Sequence, residues 1–307
     1  MLAQRIGLVL LVFAFLFTVV GLARAFFTEY SIYSLYQFEL WTNILYVWPV
    51  IRAVLCNEWF GAAVFYVTFF ASSVHHGCIN HTLQNELIGQ THLLLIVGTL
   101  LVFVVLILHQ RHSKYWNIFH VLLGIGLIIG SILLSQADAC LYHHHDTLPR
   151  IWSTIDFVAA NSSLFVIALL LLRIPHPVSD AIFWLFAITL LILDSYTEAH
   201  LSPGSLLSWY VFAAIAILVV LWIGYIGLEW NKVQLAAYLA SYDWLDFVAG
   251  IVLGIVAVSM FVFFNEKRGV HGWWHVVSAF ALYVDIEAVC KSFSLWDLRP
   301  LSLPASI

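Results

Sequence analysis

Apolar stretches of about 20 residues recur along almost the whole 307-residue chain, and they restrict its fold more than any other feature. A run of that length crosses the hydrocarbon core of a bilayer as an α-helix. Such runs fall near residues 38–56, 59–79, 91–108, 116–135, 152–172, 180–197, 206–228, 244–264 and 271–290. None shows the apolar–polar alternation of a membrane barrel strand. Charged residues make up only 9% of the chain, whereas a soluble globular protein carries roughly a quarter. The expected fold class is therefore all-α, a polytopic membrane helix bundle.

An earlier run, Ile6 to Leu22, follows Arg5 and ends at Ala23-Arg24-Ala25. Residues 1–27 read either as a signal peptide with an A-x-A-like cleavage site or as an extra anchoring helix. Connections between the later runs are short and no Gly/Ser/Pro-rich linker divides them. A single transmembrane domain over 38–290 is expected, with a short tail over 292–307. The formal net charge is −5 and there is no basic tract, which argues against nucleic acid as a partner. Four cysteines, Cys56, Cys78, Cys140 and Cys290, are too few for a disulfide scaffold and lack CxxC spacing.

Orientation follows from Lys and Arg in short loops. With Arg5 in the cytoplasm and every run crossing once, the cytoplasmic ends hold Arg5, Arg52, Arg111, Lys114, Arg173, Lys232, Lys291 and Arg299, eight of the twelve basic residues. The C-terminus is then cytoplasmic. The end of the 59 run and the starts of the 152 and 271 runs share the lumenal or exterior face. That face carries the residues capable of chemistry.

His271 and His275 are spaced i, i+4 in His271-Gly272-Trp273-Trp274-His275, so they share one face of a helix and can hold one ion. Ser72 and His76 have the same spacing at the close of the 59–79 run, while His75 points about 100° away. Asp156 lies one turn into the 152–172 run. A carboxylate among apolar residues in a membrane is costly without a partner, and so marks a functional position. Arg150, or the start of its own helix, is a structural alternative for it. Together the runs offer His76, His271 and His275 as metal ligands, with Asp156 and Ser72 beside them. Three histidines with one open position is the pattern of a catalytic zinc.

These residues also carry a resemblance. The segment Ala63 to Ser72, continuing through His76-Gly77-Cys78, is similar to the Ser-x-x-x-His segment of the transmembrane protein 8 and myomaker family. Ile155-Asp156-Phe157 resembles that family's Asp-Phe opening of a core helix, and His271 to His275 resembles its last-helix His-x-x-Trp-His segment. The family belongs to the CREST superfamily of seven-helix proteins, with alkaline ceramidases, Per1-type GPI-remodelling proteins and the adiponectin and progestin receptors. The resemblance spans 38–79 and 152–290. It implies a seven-helix core in which His76, His271 and His275 hold zinc and Asp156 and Ser72 attend its water.

The implied activity is zinc-dependent hydrolysis of a lipid amide or ester bond, ceramidase-like or acting on a GPI lipid or phospholipid. The alternative is a non-enzymatic lipid-responsive receptor or membrane-remodelling protein with a structural zinc. In either case the partner is a membrane lipid, and the setting is the plasma membrane or a secretory-pathway membrane. The chain departs from the family between His76 and Asp156, where runs 91–108 and 116–135 form an inserted hairpin over 91–135. An even number of added helices returns the chain to the same face.

The insertion brings Tyr142-His143-His144-His145-Asp146, a second metal-capable tract that reads first as a solvated polar loop. A Cys78–Cys140 disulfide on the oxidising face is a further expectation. Glu287 and Lys291, at i, i+4, are an expected ion pair. Asp194, Asp246 and Asp285 also lie in or near apolar runs. No run is split by paired Gly/Pro breaks and no inverted repeat is evident, so transport is the weaker class.

Overall fold

The computed structural model describes residues 32–78, 84–110, 147–197, 206–264 and 269–296. Among these residues the secondary structure is helical throughout. The helices are α1 (Ile32–Thr42), α2 (Val47–Leu55), α3 (Trp59–Cys78), α4 (Gln84–Gln110), α5 (Thr147–Leu171), α6 (His176–Thr197), α7 (Leu206–Glu229), α8 (Lys232–Ala240), α9 (Trp244–Phe264) and α10 (Val270–Trp296). Four spans are long and apolar enough to cross a membrane: Trp152–Leu171, Trp209–Glu229, Trp244–Phe263 and Val270–Cys290. Leu93–Leu106 is a shorter apolar stretch within α4. The chain is a membrane protein by these lengths and compositions. The leader reading, the 116–135 run, the His143–His145 tract, Cys140 and the tail from 297 lie outside the described residues.

The 38–56 run is divided in the structure. Residues Asn43–Tyr46 form a 3₁₀ turn between α1 and α2. The Thr42 hydroxyl (2.9 Å) and the Asn43 side-chain amide (3.2 Å) both donate to the Glu39 carbonyl, so side chains crowd a helix acceptor and tighten the turn. Pro49, in the first turn of α2, needs no N–H there. The short helix α8, which lies between two of the apolar runs, starts at an Asn231 capping box: Asn231 accepts from the Gln234 N–H, and Gln234 accepts from the Asn231 N–H.

Helix α10 is the centre of the bundle. It packs most extensively on α9 and also touches α1, the 3₁₀ turn, α2 and α5, while α3 packs on α5, α2 and α4. Two-thirds of the α10 span is buried, against 17% of the α7 and α9 spans. The outer faces of α7 and α9 show Leu221, Leu228 and Phe263 to the surroundings, as lipid-facing helices do. Tyr46, Phe65, Phe69, Leu40, Ile286 and His275 are among the most deeply buried side chains. A histidine in that company has no water to solvate it, so its ring nitrogens need partners.

Two contacts fasten the end of the bundle away from His275. Cys56, just after α2, is bonded to Cys290 of α10. Arg173, just after α5, has φ 53° and donates to the Ser241 hydroxyl and, at 3.0 Å, to the Ser241 carbonyl; its guanidinium lies 4.2 Å over the Tyr242 ring. The Ile174 N–H returns to the Leu169 carbonyl at 3.3 Å, closing the helix around that left-handed residue, and Pro175 stops any continuation. At the same end Glu287 binds Arg52 at 2.7 Å; the side chain of Lys291, its expected i+4 partner, lies outside the described residues.

Candidate metal centre

The three histidines singled out by spacing meet at one point. His76 arrives on the last turn of α3, and His271 and His275 lie one turn apart at the start of α10. The His76 Nε2 atom is 3.1 Å from His275 Nε2 and 3.2 Å from His271 Nε2. The ring centroids are 4.8 to 5.0 Å apart for all three pairs. One ligand atom from each residue lies within 4.8 Å of the others, so the group can hold a metal ion. His75 packs beside His76 at 5.2 Å but does not enter the triangle, as its helical offset predicts.

The donor set fits a cation for two reasons. A neutral imidazole has one donor nitrogen and one acceptor nitrogen. A single Nε2 facing two other Nε2 atoms at hydrogen-bond distance cannot satisfy both, and three lone pairs turned on one point repel unless a positive ion lies between them. The size also matches. Nitrogens bound at about 2.0–2.1 Å in a tetrahedron are separated by about 3.3 Å, close to the two Nε2 separations here. His76 and His275 are 2% and 1% exposed and His271 is half-buried.

Ser72 and Asp156 are neighbours of each other, and Ser72 is one helical turn from His76. Ser72, one turn before His76 on α3, is buried, and its hydroxyl faces the Asp156 carboxyl of α5. The arrangement falls short of a full hydrogen bond, which leaves Ser72 Oγ available to a third group. Asp156 is half-buried. Arg150, its alternative partner in the sequence, has no described side chain.

The sequence reading missed three neighbours. Tyr46, from the 3₁₀ turn, stands edge-on to His275 with centroids 5.8 Å apart. Its hydroxyl is 2.6 Å from Ser278 Oγ, which donates to the His275 carbonyl at 3.2 Å. Glu39 of α1 places Oε2 3.9 Å from His76 Nδ1. The rule that singled out Asp156, a carboxylate inside an apolar run, applies equally to Glu39. Tyr46 had no such signal, because aromatic residues are common throughout the chain.

Comparison with known proteins gave no match to a family model, to a curated protein or to a solved structure.

Proposed function

We propose that the chain is a zinc-dependent membrane hydrolase that cleaves an amide or ester bond of a lipid. The observation that carries the reading is the convergence of the His76, His271 and His275 Nε2 atoms; the Ser72 hydroxyl one turn from His76, with the Asp156 carboxyl next to it, supports it. His76, His271 and His275 would hold the ion. Zinc bound in such a site lowers the pKa of water to about 7 and polarises a carbonyl.

The chain's own residues supply the rest. Asp156 takes a proton from the attacking water and returns it to the departing amine or alcohol, so proton donor and acceptor are one group. Ser72 Oγ holds that water or donates to the oxygen where negative charge develops. Tyr46 and Ser278 fix the α10 turn that carries His275. The half-buried His271 and Asp156 leave one side through which a headgroup reaches the site while its tails stay among the helices.

The motif resemblance supports membership of the CREST superfamily. Seven core passes follow if α1 and α2 count as one bent crossing, joined by α3, α5, α6, α7, α9 and α10, with α4 in the insertion. Lys and Arg placement supports a C-terminus in the cytoplasm of a plasma-membrane or secretory-pathway protein, with the histidines facing lumen or exterior.

The non-enzymatic reading, a receptor or membrane-remodelling protein braced by zinc, draws on one observation. Through His76 and His275, both almost without exposure, the triangle ties α3 to α10, as a structural clamp does. Fatty-acid release from ceramide, phospholipid and GPI-lipid panels separates the two. The hydrolase predicts release by wild-type protein and its loss in Asp156→Asn with zinc retained. Stoichiometric zinc with every panel silent removes the enzyme and leaves the clamp.

A further inference from the structure

The most informative neighbour of the triangle is one with no place in the chemistry above. Glu39 is a carboxylate on α1, and its Oε2 stands 3.9 Å from the buried His76 Nδ1, which has no hydrogen-bond partner. Both side chains are withdrawn from solvent, at 3% exposure for His76 and 16% for Glu39.

The placement is constructed by several features together. At Gly272 of α10 an added Cβ would lie 2.5 Å from Phe38 Cδ1 and 3.5 Å from Glu39 Cα, so only glycine lets α1 come this close. Phe38 packs on Trp273 with ring centroids 5.4 Å apart, holding the two helices in register. The Glu39 carbonyl is fixed by Thr42 and Asn43. These contacts belong to the sequence between the two metal-ligand histidines of α10 and to the turn that follows α1.

We propose that Glu39 is the positioning residue of the His76 ligand, accepting the Nδ1–H and so turning Nε2 toward the ion. The inference rests on the metal-site reading of the three histidines. A histidine that offers Nε2 to a metal carries its proton on Nδ1, and a carboxylate accepting that proton fixes the ring and strengthens it as a ligand. The present separation exceeds a hydrogen bond by about 1 Å, a gap that rotation of the Glu39 side chain spans. Glu39 approaches Nδ1, whereas the other two histidines face Nε2, so it orients the ring instead of joining the triangle. Its negative charge also offsets part of the charge of a divalent ion in a site whose three ligands are neutral.

The test is zinc affinity of the purified full-length chain in detergent, by competition with a chromogenic chelator, for wild type, Glu39→Gln and Glu39→Ala. The visible absorption of the cobalt-substituted proteins reports ligand geometry independently of any activity. Gln keeps the size of Glu and an acceptor oxygen but not the charge. The expected result is a loss of about 10- to 100-fold in affinity for Ala, a smaller loss for Gln, and altered cobalt bands in both. Wild-type affinity and wild-type bands in the variants overturn the proposal. If Ala fails to fold, the near-isosteric Gln variant decides alone, and unchanged affinity there has the same consequence. Failure of wild type to bind zinc removes the metal reading itself and is distinguishable from either result.

Discussion

Gly272→Ala tests the packing that brings α1 to the histidines. The added methyl would stand 2.5 and 2.6 Å from Phe38 Cδ1 and Cε1, where ordinary contact begins at 3.4 Å. The Phe38 ring edge must therefore retreat by about 1 Å, and its packing on Trp273 opposes that movement. Overpacking of this kind costs about 1–3 kcal/mol. Replacing a helical glycine by alanine returns about 1 kcal/mol, leaving a net loss of up to about 2 kcal/mol. For a chain of this size each kcal/mol moves a melting temperature by about 2–4 °C. The expected result is a fall of a few degrees in the apparent melting temperature of the detergent-solubilised protein, with weaker zinc binding as Glu39 is displaced. Phe38→Leu in the same chain removes the ring edge and restores part of both losses, a coupling readable from a double-mutant cycle. Gly272→Ala melting at or above wild type with unchanged zinc affinity refutes this account of the α1–α10 contact.

Two further predictions concern the opposite end of the bundle. Arg173→Ala removes the hydrogen bonds to Ser241 and the stack on Tyr242, and is expected to destabilise by about 2–3 kcal/mol. Arg173→Gly, suited to φ 53°, recovers about 1 kcal/mol of that; equal melting of the two variants shows that the left-handed turn is not held against strain. Cys56 and Cys290 bond to each other at the end that Lys and Arg placement assigns to the cytoplasm, where thiols are kept reduced. Alkylation in intact cells before lysis is expected to find both thiols free, with the bridge forming on later oxidation. A bridge already present in cells reverses the orientation and turns the histidine end to the cytoplasm.

The sequence made the helical membrane architecture legible because burial in lipid demands long apolar runs, and those runs need no tertiary information to be seen. His271 with His275, and Ser72 with His76, were legible because helix periodicity alone fixes which side chains share a face. Other features depend on what one helix does to another. The bend at 43–46 arises where Thr42 and Asn43 crowd the Glu39 carbonyl, a competition that apolar periodicity does not report. Cys56 and Cys290 are separated by 234 positions, and no spacing rule pairs cysteines at such a distance. Glu39 reads in the chain as one carboxylate at the edge of an apolar run. Its relation to His76 exists only because Gly272 admits α1 against α10.

If His76, His271 and His275 together hold a metal ion, the purified chain contains it, and elemental analysis reads that content. Protein prepared without strong chelators is predicted to carry one zinc per chain, and His275→Ala, folded by its melting curve, to carry essentially none. Wild-type protein without bound metal, or a His275→Ala variant with wild-type metal content, contradicts the account.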